Sequence, residues 1–167
     1  MRISIREAHP TDWPAIWSIL EPVFRAGETY SFSREISESD AKQAWMVVPQ
    51  ATFVAVDEAG DILGTYYIKP NQPGQGAHVC NCGYVTGEKA RGKGVASRMC
   101  EQSQEEATRR GFLSMQFNLV VSSNTGAVRL WKQLGFTIVG TLPKAFKHPS
   151  LGYVDAYVMF KALTTTD

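Results

Sequence analysis

Surplus charge is missing from this chain: seventeen Lys and Arg stand against sixteen Asp and Glu, for a formal net charge of +1. A broad electrostatic footprint for nucleic acid or an anionic membrane is therefore not expected. No apolar stretch approaches the length of a membrane span. Arg2, Arg6, Glu7 and Asp12 break up the N-terminal segment, where a signal peptide needs an uninterrupted apolar run. The expected location is the cytoplasm. Cysteine is scarce, with only Cys80, Cys82 and Cys100, an odd number that includes no CxxC pair. Neither a metal site nor a disulfide framework is expected, and the thiols read as small buried hydrophobes. Internal repeats and low-complexity linkers are lacking as well.

What is present suffices for one domain over residues 1–167. The composition is 44% hydrophobic, and a chain of this length buries roughly two thirds of its unfolded surface without a staple. Ile3 and Ile5 alternate with polar neighbours and predict a first strand. Thr11 caps a helix that tolerates Pro14 in its first turn, carries Ile16, Ile19 and Leu20 at apolar spacing, and is interrupted at Pro22. Residues 27–36 read as a loop, and Ser37 with Asp40 opens a short helix to about Met46. Strands at 52–56 and 62–68 flank an acidic, glycine-containing turn and form a hairpin. Further strands are expected at 77–85, 113–121, 136–139 and 153–160. Helices are expected over 94–110 and from Asn124 to about Leu134, and a loop over 143–152.

The turn before the long helix reads Glu88-Lys89-Ala90-Arg91-Gly92-Lys93-Gly94-Val95-Ala96. Small residues here let another group approach the backbone at the mouth of a helix, where unpaired amides and the positive dipole end favour an anion such as a pyrophosphate. Arg91 and Lys93 add positive charge. An ordinary strand-to-helix connection with solvated basic side chains is the alternative. Two nucleotide motifs do not fit: Gly94 is not followed by Lys-Ser/Thr, and the spacing is not GxGxxG.

Arg91-x-x-Gly94-x-Ala96, placed after a strand and opening a long helix, resembles the Q/R-x-x-G-x-G/A acetyl-CoA motif of the GNAT superfamily of N-acetyltransferases. Asn124-x-x-Ala127-x-x-x-Trp131-x-x-x-Gly135-Phe136 is similar to a second block of that superfamily, and the element order fits from about residue 2 to residue 162. The resemblance implies an α/β (α+β) fold. Its mixed sheet has about seven strands and about four helices, and the central parallel strands 77–86 and 113–121 splay apart. It implies acetyl-CoA as acyl donor and no metal. The amides of Arg91, Gly92, Lys93, Gly94, Val95 and Ala96 would hold the pyrophosphate, and the backbone of Tyr84, Val85 and Thr86 would pair with the pantetheine arm. Asn124 would lie near the thiol.

A narrower similarity runs through Tyr67-Ile68-Lys69-Pro70-Asn71, His78-Val79-Cys80-Asn81, Phe117-Asn118-Leu119-Val120 and Gly152-Tyr153-Val154-Asp155-Ala156. These segments resemble the fungal proline-analogue N-acetyltransferases, which acetylate azetidine-2-carboxylate. The resemblance implies that Asn81 holds the amine for attack, that Asn118 binds the substrate carboxylate, and that Tyr84 lies beside them. Independently, asparagine is depleted in strands, and a buried amide without partners costs about 1–3 kcal/mol, so both asparagines need something to satisfy them. Bonds to backbone at a bulge or at the sheet split would also do so. Asn81 and Tyr84 are an odd number apart and share a face only if a bulge intervenes, for which Gly83 is suited.

Trp131 departs from relatives that carry a tyrosine nearby, because an indole N–H cannot protonate a thiolate. Tyr66, Tyr67, Tyr153 or water remain as proton donors, and Trp131 packs against cofactor or core. His78 is a candidate base or a structural histidine. Tyr30, Phe32 and the 143–152 segment either shape acceptor choice or simply pack. The expected partner is a small-molecule amine, an amino or imino acid, with no nucleic acid and no membrane; a homodimer is allowed. Two other readings stay open: a non-catalytic acyl-CoA-binding module, and a peptide or protein N-terminal acetyltransferase.

Overall fold

Strand-period and helix-period segments alternate along the chain, and each must bury its apolar face against the other kind. The computed structural model describes residues 1–163, which build one mixed sheet in the order β1-β2-β3-β4-β5-β7-β6. The strands are β1 (Ser4–Glu7), β2 (Ala51–Val56), β3 (Ile62–Pro70), β4 (Val79–Thr86), β5 (Ser114–Val121), β6 (Thr137–His148) and β7 (Gly152–Ala162). The helices are α1 (Trp13–Ala26), α2 (Glu38–Lys42), α3 (Val95–Arg109) and α4 (Thr125–Gln133). Every neighbouring pair is antiparallel except β4 with β5.

Period-two alternation divides the core into two layers. Val54 and Val56 of β2 and Val85 of β4 pack with Trp13, Ile16, Leu20 and Phe24 of α1 and with Trp45. Phe53 and Ala55 of β2, Cys80 and Cys82 of β4, and Met115 and Phe117 of β5 face the other way, toward Val95, Met99 and Cys100 of α3. All three cysteines are free and buried in this second layer. Burial pushes the Cys82 thiol well above its ordinary value and the Cys100 thiol up to about 11, so neither is a ready nucleophile.

Three expectations about local structure are corrected. Thr11 does not cap α1: it lies within the turn Pro10–Asp12, and Asp12 is the residue that precedes the helix. Helix α1 continues through Pro22 to Gly27. The missing N–H and the ring clash cost about 3 kcal/mol, but ending the helix there would withdraw Phe24, which is fully buried and packs against Tyr30, Phe32 and Trp45. The 143–152 segment is not a loop. It forms the end of β6 and the turn into β7, with Pro143 and Lys144 in a register shift between Leu142 and Phe146. Proline is tolerated at such a shift because no ladder donor is required. There the Lys144 amide donates to Asp155 Oδ1 at 3.0 Å. The turn is closed by His148 Nδ1, which accepts from the amides of Ser150 and Leu151, each at 3.2 Å.

Candidate functional site

The β4–β5 ladder is short. Only Val79 with Ser114 and Cys80 with Met115 pair, and from Asn81 onward the two strands have no register between them. β4 stays bound to β3 throughout, so the gap opens on its β5 side. Antiparallel ladders alternate bonded and unbonded pairs. The bonds Asn71 N to Val79 O and Gly87 N to Leu63 O, both 2.8 Å, set the phase. By that phase Asn81, Gly83 and Val85 direct their main-chain groups to β3, whereas Cys82, Tyr84 and Thr86 direct theirs into the gap. The backbone of Val85, expected in the gap, belongs to the β3 ladder. The Tyr84 carbonyl is itself occupied, accepting from the Tyr30 hydroxyl at 2.9 Å.

Beyond the open end of the gap lies the glycine-rich turn. The Arg91 amide donates to Glu88 O at 3.3 Å and is thereby withdrawn from the expected cradle. The amides of Gly92, Lys93 and Gly94 donate to no main-chain carbonyl, and Gly94 caps α3 without a side-chain bond. The first amides of α3, from Val95 and Ala96, have no acceptor within the helix. Gly92 and Gly94 adopt φ of 73° and 80°, which glycine alone takes up freely, and a Cβ at either would meet no heavy atom within 4 Å. Arg91 and Lys93 are exposed, and no acidic side chain lies between residues 91 and 96. This set of donors and cations fits a diphosphate, and the gap behind it offers unpaired strand backbone to an extended, amide-bearing chain.

The asparagines sit at the closed end of the gap. Asn81 is 7% exposed, and its Nδ2 donates to Gln116 O of β5 at 2.9 Å, replacing the ladder where it stops. Its Oδ1 accepts from the Tyr67 hydroxyl at 3.1 Å. One lone pair of Oδ1 and one Nδ2 proton remain. Asn118 is exposed rather than buried. It accepts from Gln116 Nε2 at 2.9 Å and donates to Asn71 Oδ1 at 2.7 Å, at the place where β5 shifts register against β7 between Phe117 and Val120.

No bulge interrupts β4, whose register with β3 runs unbroken from Thr86 to Cys80. Asn81 and Tyr84 therefore face opposite sides of the sheet. Gly83 has another use: a Cβ there would lie 2.7 Å from the Tyr67 ring, so the glycine makes room for that ring to reach Asn81. The Tyr84 hydroxyl shares a 2.6 Å hydrogen bond with Ser103 of α3, and its ring packs on Trp131 and Phe117. Trp131 is thus part of an aromatic cluster on the α3 side.

Of the other candidates, Tyr66 is wholly buried and its hydroxyl donates to Gln102 Oε1. Tyr153 is 64% exposed on β7. His78 lies exposed in the turn before β4 rather than on an apolar strand. Only Tyr67 touches the asparagine cluster. Burial, and secondarily the neighbouring Cys82, raise its hydroxyl far above the usual tyrosine range, so it remains a neutral donor.

Asn124 caps α4, its Oδ1 accepting from the Ala127 amide at 3.4 Å. With Ser123, Glu28, Thr29 and His148 it lines a small recess in which the segment after α1 meets the tip of the β6–β7 hairpin. Sequence reasoning passed over Gln116 and Lys69. Gln116 follows from period two, being two residues before Asn118, whereas Lys69 is reached only through the β3–β4 register, in which it lies opposite Asn81.

No helix among the described residues is long and apolar enough to cross a membrane. The description "Acetyltransferase (GNAT) family" matches residues 13–136. A GCN5-related N-acetyltransferase from Kribbella flavida superposes with a TM-score of 0.92 at 43% identity, covering 96% of this chain and 97% of that one. The N-acetyltransferase aca1 of Schizosaccharomyces pombe is 38% identical over 111 residues, 66% of this chain, which spans 53% of that relative's length. The L-methionine sulfoximine/L-methionine sulfone acetyltransferase of Pseudomonas aeruginosa is 30% identical over 151 residues, 86% of each protein. A sheet that parts behind an uncapped helix mouth, together with these matches, establishes that the chain belongs to the acetyltransferase (GNAT) family, whose acyl donor is acetyl-CoA.

Proposed function

We propose that this protein transfers the acetyl group of acetyl-CoA to the amine of a small molecule, an amino or imino acid, by direct attack with both substrates bound. The observation that carries this reading is the parting of β4 from β5 after two pairs, which leaves strand backbone and a glycine-rich helix mouth unpaired along one continuous path. In this reading the amides of Gly92 to Ala96 hold the pyrophosphate, with Arg91 and Lys93 contributing charge, and the N–H groups of Tyr84 and Thr86 bind the arm. Asn124 adds a contact near the thiol. Acetyl-CoA supplies an activated acetyl carbonyl at the closed end of the gap.

The chain's own residues then orient the acceptor. Tyr67 and Gln116 hold the Asn81 amide from its two ends, leaving the second Oδ1 lone pair to accept an N–H of the incoming amine and turn its lone pair toward the carbonyl. Asn118 contributes its carboxamide to the acceptor carboxylate. Asn81 cannot take up the amine's proton at neutral pH. Tyr67 is a poor proton source for the departing thiolate, because burial raises its hydroxyl further above the ordinary thiol value of about 8.5. The proton therefore comes from solvent or from the amine itself. A relative whose name specifies methionine sulfoximine and methionine sulfone, both amino-acid derivatives, supports an amino-acid acceptor.

The test is release of free CoA against a panel of amino acids, imino acids including azetidine-2-carboxylate, their carboxamides, polyamines and short peptides, ranked by kcat/KM. Small amino or imino acids should lead. Peptides leading would replace the proposed acceptor class, and silence across the panel would leave only a module that binds acyl-CoA.

A further inference from the structure

The amine and carboxylate of an amino acid are borne on one carbon, so a site selective for such an acceptor needs its two recognition elements side by side. Asn81 and Asn118 are neutral. A carboxylate drawn out of water against carboxamides alone is poorly compensated, because strong carboxylate binding comes from charge-assisted donors. The face of the sheet that carries them holds a row of side chains crossing three strands: Lys69 near the end of β3 and Asn71 just past it, Asn81 on β4, and Gln116 and Asn118 on β5. One member of that row is charged.

Lys69 stands directly opposite Asn81 in the β3–β4 register, which brings their Cβ atoms to about 5.5 Å. Its ammonium lies 5.3 Å from the centroid of the Tyr67 ring, the same tyrosine whose hydroxyl donates to Asn81. The ring face attracts the cation and keeps the flexible side chain over the polar row. Among the described residues no carboxylate pairs with it, whereas Arg6, Arg25, Arg109 and Arg110 each have an acidic partner. It is half-buried, with all three ammonium protons uncommitted.

We propose that Lys69 is the counter-ion for the acceptor's carboxylate and is the residue that makes the site selective for amino and imino acids over simple amines. This deepens the proposed acetyl transfer and rests on it. The carboxylate lies between the Lys69 ammonium and the Asn118 amide, with the amine on the neighbouring Asn81.

The experiment compares the wild-type protein with Lys69→Met, which keeps the apolar stem on Tyr67, and Lys69→Arg, which keeps the charge. Each is assayed with acetyl-CoA and the best amino or imino acid of the panel, and with that acid's carboxamide. The expected result is a KM for the acid raised about tenfold to a hundredfold in Lys69→Met, largely restored in Lys69→Arg, with KM for the carboxamide and for acetyl-CoA unchanged. Equal losses for acid and carboxamide would mean a structural role through Tyr67 and would overturn the proposal. So would a wild-type protein that acetylates amines but does not prefer the acid, although acetyl transfer would then stand. If no acceptor is turned over while acetyl-CoA still stabilises the protein, the acetyl-transfer reading fails, and the role of Lys69 fails with it.

Discussion

The two parallel strands each lead into a helix, and the two helix mouths are finished in opposite ways. At the β5–α4 junction Asn124 turns its own side chain onto the Ala127 amide, and its main-chain N–H returns to Val121 O at 2.9 Å. At the β4–α3 junction the corresponding cap is Gly94, which has no side chain to offer, and its own amide and the two before it are without main-chain acceptors. A capping side chain is worth about 1 kcal/mol, so α3 forgoes a stabilisation that α4 takes. The difference bears on where an anion fits: a helix mouth capped by its own side chain has already committed an amide, and one without a cap keeps its donors for an anion.

The comparison breaks most completely at Gly94. Acetyl-CoA at a hundredfold excess over its Kd should stabilise the wild-type protein by about 2.7 kcal/mol, raising Tm by about 5–10 °C for a chain of this size. Gly94→Glu places a carboxylate in the proposed anion site at a φ of 80° and should abolish that shift in a thermal scan. A variant that kept the full shift would put the pyrophosphate elsewhere. Next in size is Asn81→Ala, which removes the contact at the closed end of the gap without touching the helix mouth. It should lower kcat roughly tenfold to a hundredfold and leave the Kd for acetyl-CoA, measured by calorimetry, as it was. Unchanged turnover would remove Asn81 from the reaction. The smallest effect belongs to the capped mouth. Asn124→Ala should cost the ligand-free protein about 1 kcal/mol, a drop of about 2–4 °C in Tm, because the Ala127 amide loses its side-chain acceptor.

The glycine-rich turn was readable from residues alone because it is a local signal: donors, cations and small residues lie within nine positions of one another. The same holds for the Asn124 cap, the Ser37 cap, whose Oγ accepts from the Asp40 amide at 3.0 Å, and the helix stops at Gly111 and Gly135. The far half of the β6–β7 hairpin, over residues 143–152, was not readable. Its outer strand carries polar and exposed residues with a proline in the middle, and its strand character comes from pairing with β7 rather than from any pattern of its own. Pro22 misled for a related reason, since what holds α1 together beyond it is the burial of Phe24 against rings far along the chain.

The candidate acceptor site divides in the same way. That a buried Asn81 needs partners follows from placing a carboxamide in a strand, whereas Asn118 is exposed and has water available to it as well. Which partners they find, Tyr67 and Gln116 for one, Asn71 and Gln116 for the other, depends on a strand register that no single segment encodes. The expected bulge at Gly83 would have brought Tyr84 to the asparagines. The unbroken register instead sends Tyr84 to Ser103 and gives Gly83 to the ring of Tyr67.

By itself the amino-acid sequence determined the succession of strands and helices, the capped mouth of α4 and the uncapped mouth of α3. Each of these depends on residues a few positions apart, where propensity, capping and glycine geometry act over a turn or less. Only the tertiary structure decided that β4 parts from β5 after Cys80, that Lys69 stands beside Asn81, and that Tyr67 serves the asparagines in place of Tyr84. Those outcomes are set by pairing between strands distant in sequence, and a shift of one residue in that pairing would turn each of these side chains to the opposite face of the sheet.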